Sequence, residues 1–131
     1  MPNMANITVK KADGTTDVVY TALTPSAGDK TPARWQNNAS HAKAALRATV
    51  EMTSRFNPAK TARHVTLLVK YPEVAPVGGI DTVVGTGHMT IDGVIPLQCS
   101  DSAIAELVAQ SANLSRATLT QDSFKIGYAP Q

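Results

Sequence analysis

A chain of 131 residues that is 43% hydrophobic and 17% charged can bury one modest core, which excludes the disordered class and makes a single domain the expectation. Twelve Lys and Arg against ten Asp and Glu leave a formal charge of +2, a balance that by itself points to no partner. One cysteine, Cys99, excludes an intrachain disulfide framework and a multi-cysteine metal site, and its expected place is a small buried side chain beside Leu97.

The opening MPNMANITVKKADG has no apolar stretch behind a basic start, and apolar runs elsewhere are only a few residues long. Neither a signal peptide nor a membrane span is therefore expected, and the chain is expected to stay in a cytoplasm. Residues 7–23, ITVKKADGTTDVVYTAL, place two β-rich runs around Asp13-Gly14, a strong hairpin signal. The prolines and glycine of Thr24 to Pro32 mark a loop, and a short strand around ARWQNN follows with Trp35 as its packing anchor. From Ala45 to about Arg55, Leu46, Ala48, Val50 and Met52 alternate with Arg47, Thr49, Glu51, Thr53 and Arg55, which predicts a half-buried strand. Asn57-Pro58 starts a turn. The next strand sets Val65, Leu67, Val69 and Tyr71 on one face and His64, Thr66, Leu68 and Lys70 on the other.

Two prolines and four glycines between Pro72 and Gly87 predict a mobile loop of about a dozen residues, long enough to suggest function. A third long strand, GHMTIDGVIPLQ, points Met89 and Ile91 one way and His88, Thr90 and Asp92 the other. Past Gln98 the period changes. Ser100 or Asp101 is placed as N-cap, and Ile104, Leu107, Val108 and Leu114 fall at helical spacing. A shorter helical turn is expected in LTQDSFKIG, before a C-terminal tail.

This order predicts an α+β fold: a hairpin at about 7–23, a sheet region at about 33–98 with an antiparallel sheet of about five strands, and a helical region at about 100–127. One good helix cannot cover such a sheet. Its apolar face, including Val50, Met52, Val65, Leu67, Val69, Met89 and Ile91, would stay partly exposed in a monomer. A dimer in which each subunit's helix covers the other's sheet is therefore expected.

Templates for enzymes are absent: there is no Gly-rich phosphate loop with Lys-Ser/Thr, no G-x-S-x-G and no H-E-x-x-H, so no catalytic residue, cofactor or small-molecule substrate is assigned. A metal site from His64, His88 and Asp92 is conceivable on adjacent strands, but polar surface histidines are the default and no metal is assigned. Charge distribution is more informative than net charge. From Lys30 to Lys70 there are eight basic residues and a single acid, Glu51, while both flanks are net acidic. That bias suggests an anionic partner, most often nucleic acid. The polar face supplies what single-stranded nucleic acid needs: Arg47, Thr49, Thr53 and Arg55 in one row, His64, Thr66 and Lys70 in a second, and His88 and Thr90 in a third, with cations for phosphates, hydroxyls for base edges and His88 to stack a base. Threonine-rich faces are also good strand formers without any ligand, so this reading competes with a plain surface. A small enzyme using His88 and Asp92 stays open as a further alternative.

Together, the opening hairpin ITVKKADGTTDVVY, the RW strand, RATVEM, RHVTLLVKYP, the Gly-rich segment, HMTIDGVIPL and the helix after CSDS resemble a single-stranded RNA bacteriophage (levivirus) coat protein along essentially the full chain. The order and spacing of these short motifs carry the resemblance. It implies an interlocked homodimer whose C-terminal helices, through Ile104, Leu107, Val108 and Leu114, pack on the partner's sheet, and dimers that assemble into a small icosahedral shell around single-stranded genomic RNA. The virion, and the bacterial host cytoplasm during assembly, are the implied locations. The segment from roughly Val74 to Gly85 would meet its counterparts between dimers through Val77, Gly78, Gly79, Ile80, Asp81, Thr82, Val83 and Val84. The resemblance also implies RNA binding across Lys43, Arg47, Thr49, Glu51, Thr53, Arg55, His64, Thr66, Leu68, Lys70, His88 and Thr90, and repression of translation through an RNA hairpin. Thr49 and Thr66 match the family's pocket threonines and Arg47 a phosphate-contacting position. Leu68, Glu51 and His88 stand where familiar members carry lysine, serine and tyrosine, so sheet-face packaging carries over more safely than recognition of one hairpin. A dimeric RNA-binding module that builds no shell is the alternative.

Overall fold

The structure, a computed structural model, describes residues 2–131. Six strands, β1 (Ile7–Lys10), β2 (Asp17–Thr24), β3 (Ala33–Gln36), β4 (Thr49–Phe56), β5 (Ala62–Val77) and β6 (Ile80–Pro96), lie side by side in chain order. The pairings whose register is defined, from β1 through β5, are antiparallel. Two helices, α1 (Asp101–Arg116) and α2 (Thr118–Ile126), complete the chain. The fold is the α+β arrangement that the sequence predicts, with six strands where about five were expected. By internal contacts the chain forms two compact units, a sheet unit that ends at Val94 and a helical unit from Ile95.

The hairpin signal at Asp13-Gly14 is realised. Gly14 takes a positive φ of 75°, and the Asp13 carboxylate accepts the amides of Thr15 and Thr16, both at 2.9 Å. Those bonds and the Thr16 hydroxyl hold the Asp13 carboxyl down at about 2. A Lys10–Asp17 ion pair flanks the turn. The core lies on the apolar side of β2, β3 and β4, where Tyr20, Ala33, Trp35, Ala48 and Val50 are buried and Leu67 and Val69 of β5 pack against them. Trp35 is the anchor that the sequence predicts. It is 7% exposed, pairs with Val50 across β3 and β4, and its indole N–H donates to the Ala5 carbonyl at 2.8 Å. Burial pushes the Tyr20 hydroxyl above its usual range.

Three expectations are corrected. The strand expected from Ala45 begins at Thr49, because Ala44–Leu46 forms a single 3-10 turn after Lys43. The loop expected between Pro72 and Gly87 is instead one continuous hairpin arm, β5 running to Val77 and β6 starting at Ile80. Gly78 and Gly79, at φ 61° and 81°, close it in two residues, and two successive left-handed residues make the turn whose twist matches a hairpin. The prolines mislead for a clear reason. The ladder with β4 ends at Lys70, so Pro72 and Pro76 lie where β5 has no neighbour on that side and a missing N–H breaks no bond there. Finally, Cys99 is exposed, in the turn after β6, where its amide bonds the Pro96 carbonyl at 3.2 Å.

In the helical unit, Ser100 is the N-cap of α1 and its hydroxyl accepts the Ala103 amide at 3.3 Å. Gly127 ends α2 at φ 77°. The expected helical turn is thus a full helix of nine residues. Leu107, Val108, Leu114, Leu119 and Phe124 are each more than half exposed. In the sheet unit, Met52, Met89 and Ile91 of the apolar face are also exposed, Met52 least at 36% and Ile91 most at 55%.

Candidate nucleic-acid interface

Strand registry decides which side chains share the polar face. Thr49 stands opposite Lys70, Glu51 opposite Leu68, Thr53 opposite Thr66 and Arg55 opposite His64. On the other side of β4, Gln36 pairs with Thr49 and Arg34 with Glu51. The structure therefore brings together on one face the β4 and β5 residues predicted for the RNA face. On β6, Gly87 lies nearest the Tyr71 carbonyl and Gly93 nearest the Val65 carbonyl, which sets Asp92 beside Thr66. The Thr66 hydroxyl donates to Asp92 Oδ1 at 3.0 Å. Alternation then puts His88 and Thr90 on this same side as a third row.

The charges of this face are unequal in what they can do. Arg34 Nε lies 3.2 Å from Glu51 Oε1, so the acid at the expected contact position is already paired across the strands. Arg55 and Lys70 have no acidic partner within 4 Å among the described residues and are the face's unpaired cations. Lys43 is exposed just before the 3-10 turn, where its backbone amide donates to His41 Nδ1 at 2.9 Å. Leu68 is half-buried at the centre of the face and offers no charge there. Arg34, Gln36 and Thr21 of the neighbouring strands extend the face, and sequence reasoning missed them. The alternation of Ala33-Arg34-Trp35-Gln36 around a buried Trp35 is the signal that could have found the first two.

Arg47 is differently placed from its expected role. Its guanidinium donates to the carbonyls of His41 (2.6 Å) and Ala42 (2.8 Å) and to the side-chain oxygens of Gln36 (3.3 Å) and Asn38 (3.2 Å). Four of its five N–H groups thus tie the segment between β3 and β4 to the sheet. His41 in turn reaches Asp81 at the start of β6, Nε2 to Oδ2 being 2.9 Å. With Nδ1 accepting the Lys43 amide, the ring proton belongs on Nε2 and is donated to Asp81. The residues expected in an inter-dimer loop are therefore strand and turn, with Asp81 fastened to the 37–47 segment. At the other end of β5, Arg63 pairs with Asp29 at 2.8 Å, which holds that carboxyl below its usual range, and stacks 4.3 Å from the centre of the Phe56 ring.

No group of three or more His, Cys, Asp or Glu side chains is arranged to hold a metal among the described residues. His64 and His88 lie on the same face, but the one bond formed there by Asp92 is to Thr66.

An antiparallel sheet of six strands in chain order followed by two C-terminal helices is the fold of single-stranded RNA phage (levivirus) coat proteins, as the sequence resemblance implies. Among solved structures, the virus-like particle of bacteriophage NT-214 superposes with a TM-score of 0.84 at 17% identity, over 99% of this chain and 100% of that one. The virus-like particle of Beihai levi-like virus 21 gives 0.85 at 14% identity over 99% of both chains. The capsid protein of bacteriophage GA gives 0.73 at 16% identity over 95% of both. At such identities the likeness is one of fold. No family model and no curated protein matches the sequence.

Proposed function

We propose that this protein is a structural coat subunit of a single-stranded RNA phage, without enzymatic activity, that forms dimers and assembles into a small icosahedral shell around its genome. The observation that carries this reading is likeness of fold over essentially the whole of both chains to subunits of virus-like particles. It is supported by the apolar side chains left exposed in both compact units, Met89 and Ile91 on the sheet and Leu107, Val108 and Leu114 on α1, which a second copy would cover. Burial of that surface holds the dimer at roughly 25 cal/mol per Å² removed from water. In the shell the polar sheet face turns inward, where Arg55 and Lys70 neutralise phosphates and release counterions. The hairpin tip at Gly78-Gly79 meets its counterparts between dimers.

Expression of the full chain in bacteria, followed by electron microscopy and the ratio of absorbance at 260 and 280 nm, tests this. Uniform spherical particles containing nucleic acid are expected. Free dimers with bound RNA would replace the shell by an RNA-binding module, and monomers without RNA would refute both.

A further inference from the structure

A carboxylate on a surface meant for a polyanion is costly unless it does something, and the two acids of this face differ. Glu51 is neutralised by Arg34, whereas Asp92 has no cation within 4 Å among the described residues. Asp92 is exposed, and its one side-chain bond is the 3.0 Å hydrogen bond it accepts at Oδ1 from the Thr66 hydroxyl. That bond has two consequences. It fixes the carboxylate on the strand face, and it uses up the only proton Thr66 can donate, leaving the hydroxyl oxygen as an acceptor. The Thr66–Asp92 pair therefore presents acceptors alone: the remaining Thr66 lone pairs, the second lone pair of Oδ1, and Oδ2. On either side stand Thr53, directly opposite Thr66, and His64 two residues along β5.

We propose that Asp92, oriented by Thr66, is a base-reading residue that selects guanine in unpaired RNA. Resting on the RNA-binding reading above, this assignment adds the base that the face prefers. An all-acceptor patch rejects uracil, whose lone N3–H is flanked by two carbonyl oxygens that face the carboxylate unfavourably. Guanine places N1–H and an N2 amino hydrogen side by side, spaced for the two oxygens of one carboxylate. Cytosine and adenine each offer one amino group and fall between. Thr66 acts here as a positioning residue, and Arg55 and Lys70 supply phosphate contacts indifferent to sequence.

Fluorescence anisotropy of the full-length protein with labelled oligouridine probes, carrying guanosine, inosine or uridine at the central position, tests the assignment. Guanosine should bind roughly tenfold tighter than uridine, inosine falling between because it lacks the N2 amino group. Asp92→Asn should abolish the guanosine preference while leaving oligouridine affinity equal or higher, since a negative charge has left the face. Thr66→Val should weaken the preference and Thr66→Ser should restore it, a pattern that loss of folding cannot imitate. A guanosine preference unchanged in Asp92→Asn, or no preference in the parent protein, would overturn the assignment and leave RNA binding standing. Failure of the parent protein to bind any probe would overturn the RNA-binding reading itself.

Discussion

Arg47→Lys separates two roles that a charge reversal at this position would confuse. If Arg47 acts chiefly on phosphate, a lysine keeps the charge and most of the function. The structure says otherwise, because the guanidinium fork reaches four acceptors at once, two of them backbone carbonyls of the segment that leads into β4. A lysine's ammonium donates from a single point and cannot span all four. Each hydrogen bond contributes about 1 kcal/mol net, more for a charged donor and less where water replaces it. Because the site is only half-buried, losing two or three of the four should cost about 2 kcal/mol rather than the full sum. Two kcal/mol is roughly a thirtyfold rise in local opening, and hydrogen exchange reads it directly. The amides of Ala39, Lys43 and Ala48, bonded to Asn37 Oδ1, His41 Nδ1 and Ser40 Oγ, should exchange about thirty times faster in the variant. Amides at the centre of the β4–β5 ladder should change little. Exchange within twofold of the parent protein at all three sites would refute the tie that Arg47 makes to the 37–47 segment, and reduced RNA content with full protection would return Arg47 to the phosphate-binding set.

Two further outcomes follow from the turns and the ion pairs. Gly78→Asn should be tolerated, since asparagine accepts a left-handed conformation in a two-residue hairpin turn, whereas Gly78→Val should cost about 1–2 kcal/mol and lower the yield of assembled particles. Equal particle yields for the two variants would show that the turn geometry does not matter. Asp29 has its carboxyl held below the usual range mainly by the hydrogen bond from Arg63. The folded state therefore binds this proton less readily than the unfolded chain. The stabilisation is complete above the ordinary aspartate range near pH 4 and is lost as pH falls through the depressed folded value. Urea midpoints of Asp29→Asn and the parent protein should differ at neutral pH and converge as pH falls below that range. A constant gap down to strongly acid pH would mean the ion pair is not the cause.

Much of the architecture was legible in the residues. Period-two alternation from Thr49 to Arg55 and from His64 to Tyr71 assigned the faces correctly, Asp13-Gly14 marked its hairpin, and Ser100, one of the two cap candidates, capped its helix, because each of these is a local preference that acts over a few residues. The hairpin arm was not legible. Proline and glycine density is a local signal for a loop, and only the end of the β4 ladder at Lys70 reveals that Pro72 and Pro76 interrupt nothing. The roles of Arg47 and Asp92 were equally hidden. Alternation could say that both belong to polar positions, but not that Arg47 would turn to carbonyls of the preceding segment or that Thr66 would give its proton to a residue 26 positions away. Sequence alone thus determined the faces of the central strands, the first hairpin and the start of the first helix, which depend on neighbours along the chain. Tertiary structure alone decided which charges remain unpaired on the sheet, because pairing depends on registry between strands that the chain brings together from a distance.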